Sequence, residues 1–317
     1  MPIPLSRRLL AALCAASLVL PAAPLRAQHN LPALGDAATE DFGVVTERRV
    51  GEQIMREVRR DADYLDDPLL LEYVQAIWSP LVAQARANGN ITAEIETRFS
   101  WEAFLVRDRS VNAFALPGGY VGVHLGLIAL TGSRDELAAV LAHEITHVTQ
   151  RHIARGITNS KRQSLIGLAA MIIGVIAASR ANSTDGVAAV VTGGQAASIQ
   201  GQRNFSRDRE READRIGFAV LTGAGFSPGG MAAMFEKLDQ SSRLNDSGGY
   251  PSRRSRPLTT ERIGEARARM GTATARAAPG PGGTGFEHAL AQARSRVLMD
   301  TRVDALRRWQ ALDATRP

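Results

Sequence analysis

From Val44 onward, apolar positions recur at helical spacing. In TERRVGEQIMREVRR the residues Val50, Ile54 and Val58 stand four apart, which puts them on one stripe of a helix. Asp66-Asp67-Pro68 is a helix-start signature. Leu70, Tyr73, Val74, Ile77 and Trp78 then share a face of a helix running to Ala87. NGN at 88–90 reads as a turn. Between 91 and 125 the period changes. ITAEIETRFSWEAFLV and VNAFALPGGYVGVHLGLI consist of short β-type runs, interrupted at Pro117-Gly118-Gly119, and predict a small sheet. Ser133 and Glu136 form a capping box for the next helix, whose core side is Leu137, Val140, Leu141, Ile145 and Val148. Gly156 is placed to close it.

The run at 164–179 is apolar over about sixteen residues, short of the roughly 20 that a membrane span needs. It is expected to be a core helix or a membrane-facing lid. Residues 180–204, rich in Gly, Ala, Ser and Gln, read as a connection. A helix is predicted from about Ser206 to Thr222, where GFSPGG ends it, and MAAMFEKLDQ forms another. Residues 241–258 read as a polar loop, and LTTERIGEARARM as helix. These patterns divide the chain into a signal peptide (1–27), an exposed lead-in (28–43), a main domain (44–271), a low-complexity linker (272–285) and a C-terminal helical segment (286–317). No repeat array is visible.

Composition narrows the picture. Hydrophobic residues make up 44% of the 317 and aromatics only 5%, which favours helices packed through small residues over an aromatic-rich β sandwich. The formal charge of +6 falls to +3 once Arg7, Arg8 and Arg26 leave with the first 27 residues. The remaining basic residues are interleaved with acids, as in RDREREADR, so nucleic acid is not an expected partner. Arg7-Arg8 followed by LLAALCAASLVL and then LRA before Gln28 is the pattern of a cleaved export signal. The single cysteine, Cys14, lies in that apolar run, so the mature chain has neither a disulfide nor a thiolate metal site. A short arginine-type signal without disulfides fits a protein of the bacterial envelope.

The chemistry concentrates in His143-Glu144-Ile145-Thr146-His147. Four residues turn a helix by about 400°, so the two imidazoles lie on one face and converge on one ion. Glu144 is rotated off that axis and can reach a water on the metal without being a ligand. A third protein ligand is required. His152 follows His147 by five residues, and a continuing helix rotates it away. A third histidine of the HExxHxxGxxH type would need glycine at 150 and histidine at 153, where the chain has Gln150 and Ile153. An acid from elsewhere remains. In DREREADRIG, Glu210 and Asp214 are four apart on one helix face, with Glu212 on the other side. Glu210 can supply a carboxylate oxygen to the metal. Asp214 can accept an N–H from a metal-bound imidazole and fix its tautomer.

HEITH followed by EREAD resembles the gluzincin arrangement of the CAAX-prenyl-protease and HtpX group. The stretch VNAFALPGGYVGVHLGLI with DELAAVLAHEITHVTQRH most resembles the periplasmic β-barrel assembly-enhancing proteases, over about residues 40–270. The resemblance implies an α+β fold: a predominantly helical, zincin-like metalloprotease domain with a small β-sheet beside the HExxH helix. It implies one Zn²⁺ per chain, ligated by His143, His147 and Glu210, with Glu144 as base and Asp214 supporting a ligand. It also implies unfolded or misassembled envelope proteins as substrates, in the periplasm, with a membrane contact through 164–179 as a further expectation. Arg256, Arg262 and His124 are candidates for the oxyanion donor. The strand 118–123, with Gly118, Gly119 and Tyr120, is the expected partner of an extended substrate. The chain departs from the family in two places. Arg256-Pro257 stands where relatives often carry His-Pro, and arginine cannot ligate zinc. The long tetratricopeptide array of the chaperone-like members is not visible. The alternative reading is an envelope chaperone or scaffold with a structural zinc. An integral membrane protease would require 164–179 to span.

Overall fold

The computed structural model describes residues 43–158, 196–245, 256–273 and 285–314. The signal and lead-in segments, the apolar run 164–179 and most of the low-complexity linker lie outside the described residues. All described residues fall within one unit, 35–317. The elements are α1 (Val44–Val58), β1 (Tyr64–Leu65), α2 (Pro68–Ala87), α3 (Ala93–Arg98), β2 (Glu102–Val106), β3 (Ala113–Leu116), β4 (Tyr120–His124), α4 (Leu125–Leu130), α5 (Arg134–Thr149) and α6 (His152–Thr158). They continue with α7 (Ala196–Gly223), α8 (Gly229–Asn245), α9 (Arg256–Ala273), α10 (Gly285–Met299) and α11 (Val303–Ala314).

This is the expected α+β architecture, mostly helical with one small mixed sheet. Strand order is β1-β2-β4-β3. β1 and β2 are antiparallel, β2 and β4 parallel, and β3 and β4 antiparallel. Alternate residues serve the two faces. Ala103, Leu105, Val121 and Val123 join the main core with α2 and α5. Phe104, Val106, Leu116 and Tyr120 form a second cluster with Ile54, Met55 and Val58 of α1. The sheet is therefore a layer between α1 and the α2–α5 pair.

Local signals explain most boundaries. Asp67 caps α2 by accepting the Leu70 amide at 3.0 Å, with Pro68 in the first turn. Ser133 Oγ accepts the Glu136 amide at 3.2 Å. The reciprocal half of the expected capping box is absent, because the Glu136 carboxylate takes the Gly132 amide and Lys237 instead.

Three expectations are corrected. Residues 93–98, predicted as part of a β run, form α3: Thr92 caps the Ile95 amide, and Glu94 and Glu96 lie in the first turn, where the helix dipole favours acids. The HEITH helix ends at Thr149 rather than near Gly156. Arg151 there adopts φ +50° and starts a new helical segment. This left-handed residue is held by a buried ion pair, Arg151 Nε to Glu47 Oε2 at 2.8 Å, which ties α1 to the end of α5. Finally, α7 begins at Ala196, inside the stretch read as a connection.

Helix α10, the first of the C-terminal segment, packs on α4 and α2, with Ala291 in the main core. His288 bridges the Tyr73 hydroxyl and the Thr131 carbonyl, and Arg294 pairs with Asp67 at 2.6 Å. Among the described residues, no helix is long and apolar enough to cross a membrane.

Candidate metal centre

The site lies where α7 crosses α5. Helical periodicity aligns His143 with His147 on α5 and Glu210 with Asp214 on α7. The crossing is close because α7 carries glycine at the contact. A Cβ on Gly217 would sit 3.1 Å from the Ala142 carbonyl oxygen and 3.2 Å from the His143 Cα. Ala213 is fully buried one turn earlier. Small residues thus bring the carboxylates within reach of the imidazoles.

His143 Nε2 and His147 Nε2 are 2.9 Å apart. Glu210 presents its two oxygens to them, Oε2 at 3.4 Å from His143 Nε2 and Oε1 at 3.7 Å from His147 Nε2. One donor atom from each of the three residues falls within 4.8 Å of the other two. In both rings the outer nitrogen is already engaged: His143 Nδ1 with Asp214 Oδ1 at 2.9 Å, and His147 Nδ1 with His152 Nδ1 at 2.8 Å. Both Nε2 atoms are thereby left facing Glu210. Two imidazole nitrogens and one carboxylate oxygen are a donor set that fits a divalent transition metal such as zinc.

The electrostatics carry the same message. Burial opposes charge on His143, but hydrogen bonds to Asp214 and Glu210 outweigh it and hold the ring at about 9. Burial, with His143 and His152 alongside, pushes His147 well down. Burial works against the Glu210 carboxylate too, yet the hydrogen bond and charge of His143 bring it to about 2. The carboxylates of Asp214 and Glu210 thus favour positive charge at His143.

Glu144 is half-buried and borders a cavity that His143, Asn112, Val140, Met234, Phe235 and Arg262 help to line. Burial raises its carboxyl to about 7, with His143 opposing, Glu210 adding, and the Ala115 backbone and Arg262 opposing. The contact with Ala115 places the carboxylate beside β3.

Arg262 is in the site, and Asp214 holds it. Its Nε and Nη2 donate to the two Asp214 oxygens at 2.7 and 2.8 Å, its Nη1 is 3.7 Å from Glu210 Oε2, and it stacks 4.2 Å over the Phe235 ring. Of Arg256, the first residue of α9, only the backbone is described. His124 is not among the residues that line the cavity. It is buried with Nδ1 on Ser110 Oγ at 2.7 Å and packs edge-on to Phe114, the contacts of a core histidine. The expected substrate strand is also displaced. β4 is hydrogen-bonded on both edges, by β2 and β3, so 118–123 has no free ladder to offer. Gly118 and Gly119 adopt φ +81° and +92° and receive the protein's own chain, Arg48 on one side and Phe99 to Trp101 on the other. Among the described residues, the open edge next to Glu144 belongs to β3.

One group was missed. His152 is not rotated away, because the helix breaks before it. It lies beneath His147, with Nε2 on Glu212 Oε2 at 3.0 Å, and Glu212 also accepts Arg155 at 2.9 Å. The signal that would have revealed this is a left-handed non-glycine residue, Arg151, which no local pattern announces.

A helical domain with a small sheet, and two histidines of an HExxH helix facing a glutamate from a second helix, define a zincin-like metallopeptidase fold. Residues 71–270 match Peptidase family M48, and the chain belongs to that family. It is 34% identical over 272 residues to the β-barrel assembly-enhancing protease of Escherichia coli K12, covering 84% of this chain and 52% of that protein. It is 38% identical over 262 residues to the Vibrio cholerae counterpart, covering 83% of this chain and 52% of the relative. Similarity to the mitochondrial metalloendopeptidase OMA1 of Schizosaccharomyces pombe is 33% over 150 residues, 44% of this chain and 38% of that one. The chain spans about half the length of the bacterial relatives it matches.

Proposed function

We propose that this chain is a zinc-dependent endopeptidase of the bacterial cell envelope, with one ion held by His143, His147 and Glu210. The observation that carries the reading is the convergence of both Nε2 atoms and the Glu210 carboxylate, with Glu144 beside them on the cavity wall. His143, His147 and Glu210 would hold the zinc, which would supply Lewis acidity and make the attacking water more acidic.

The chain's own groups do the rest. Glu144, on the cavity wall beside the three ligands, accepts the proton of the attacking water and returns it to the leaving nitrogen. Asp214 orients His143. Arg262, fixed by Asp214 and backed by Phe235, keeps a positive charge at the cavity for the developing oxyanion. An extended substrate lies along the outer edge of β3. Unfolded or misassembled envelope proteins, presented in the periplasm after removal of residues 1–27, are the expected substrates. The family membership supports protein substrates, and the names of the bacterial relatives support a link to β-barrel assembly.

The test is Glu144→Gln in the full-length protein. It retains zinc at one per chain and loses cleavage of an unfolded protein such as casein. Wild-type protein that binds zinc and cleaves no more than the variant would leave a scaffold with a structural ion.

A further inference from the structure

The two imidazoles of the centre are supported differently, and only one support was anticipated. His143 meets a carboxylate directly, through Asp214. His147 meets another imidazole. The chain leaves α5 at Thr149, turns through Arg151 at φ +50°, and brings His152 back beneath His147 with its side chain 2% exposed. His152 Nδ1 lies 2.8 Å from His147 Nδ1, and its Nε2 lies 3.0 Å from Glu212 Oε2. Arg155 Nη1 donates to the same Glu212 oxygen at 2.9 Å, and Arg209 Nη1 donates to the His152 carbonyl at 2.9 Å, anchoring this residue's backbone on α7.

We infer that His152 is a positioning residue for the metal centre, fixing the tautomer of His147 through a relay that ends on Glu212. A carboxylate only accepts, so the proton of the His152 ring lies on Nε2, and Nδ1 is left as an acceptor. His147 must then place its own proton on Nδ1, which frees Nε2 for a cation. The opposite tautomer would put a proton on His147 Nε2, at the position a metal occupies. Glu212 acts through His152 and touches no ligand. The inference rests on the metal-centre reading above.

The experiment measures zinc affinity of the full-length protein by competition with a chelating dye, together with thermal melting of the chelator-treated forms. His152→Asn keeps an oxygen close to the Nδ1 position and remains within about threefold of wild type, since the acceptor survives. His152→Gln carries its oxygen further out, away from His147, and loses roughly 10- to 100-fold in affinity. Glu212→Ala weakens zinc binding in the wild-type background and has no further effect in the His152→Gln background. Equal affinities for His152→Asn and His152→Gln overturn the relay, as does a Glu212→Ala effect of the same size in both backgrounds. Comparing Asn with Gln, both polar and both lacking the ring, keeps the test valid where larger changes unfold the protein. Wild-type protein that binds no zinc removes the metal centre itself, an outcome distinct from a bound ion indifferent to residue 152.

Discussion

The support of His143 and the support of His147 solve one problem with different materials. At His143, a buried aspartate contacts the ring through Oδ1 and is clamped by Arg262, which donates to both of its oxygens. At His147 a second imidazole intervenes before the carboxylate, and Arg155 does the clamping. The first arrangement joins three helices, α5, α7 and α9, and loads the metal site with fold stability. The second joins α5 to α6 and α7 at the edge of the site. A direct carboxylate ties ligand orientation to packing, whereas a relay separates the two.

The largest test of this contrast lies between the two supports. Glu144 helps to hold neither ring, so Glu144→Gln is expected to keep zinc and lower kcat by about 10²- to 10⁴-fold, measured with a peptide or casein substrate. A loss of zinc in that variant would place Glu144 among the holding groups and blur the comparison. Next in size, Asp214→Ala strands the Arg262 guanidinium. It is expected to destabilise the protein by about 3 kcal/mol in chemical denaturation and to weaken zinc binding about 10- to 100-fold. Both effects together distinguish this support from Glu212, whose removal changes affinity with less change in stability. Gly217→Val pushes α7 off the Ala142–His143 backbone, and a destabilisation of about 1–3 kcal/mol with weakened zinc binding is expected from equilibrium unfolding and dye competition. Ser133→Ala removes the α5 cap and is expected to cost about 1 kcal/mol with zinc affinity unchanged.

The smallest effects are pH slopes in chelator-treated protein. Glu212 is lowered to about 2 by its hydrogen bond with His152, against burial, and with Arg155 assisting. Its contribution to stability is therefore complete above the ordinary glutamate value and is lost as pH falls from 4.5 through about 2. Glu144 is raised to about 7 by burial, so its ionisation disfavours the fold as pH rises from 4.5 through 7. Unfolding midpoints against pH should show Glu212→Gln with a shallower acid limb, and Glu144→Gln gaining on wild type between pH 4.5 and 7. Parallel profiles for the two variants would contradict the opposite environments of these glutamates.

Much of this centre is legible along the chain, and the limits have physical causes. His143 and His147, like Glu210 and Asp214, are four apart, and a helix converts that interval into a shared face whatever surrounds it. The Asp67 cap and the Ser133 cap were readable for the same reason, since each is closed within three or four residues. The segment 93–98 carried two local signals, alternation and a Thr92 cap, and the cap with its first-turn acids prevailed. His124 is one of the candidate oxyanion donors in the sequence, but burial against Phe114 and Ser110 uses its polarity inside the core.

What the chain determined alone is a set of helical faces and their chemistry, because hydrogen bonding within a helix needs no distant partner. The tertiary structure decided which faces meet. The order β1-β2-β4-β3 hides strand 118–123 and leaves β3 as the edge beside Glu144, a matter of pairing between strands far apart in sequence. Arg151 reaches its left-handed conformation through a buried pair with Glu47, 104 residues away, and only that reversal carries His152 under His147. Arg262 finds Asp214 across 48 residues. Such contacts depend on packing between elements, where no interval in the sequence records the distance.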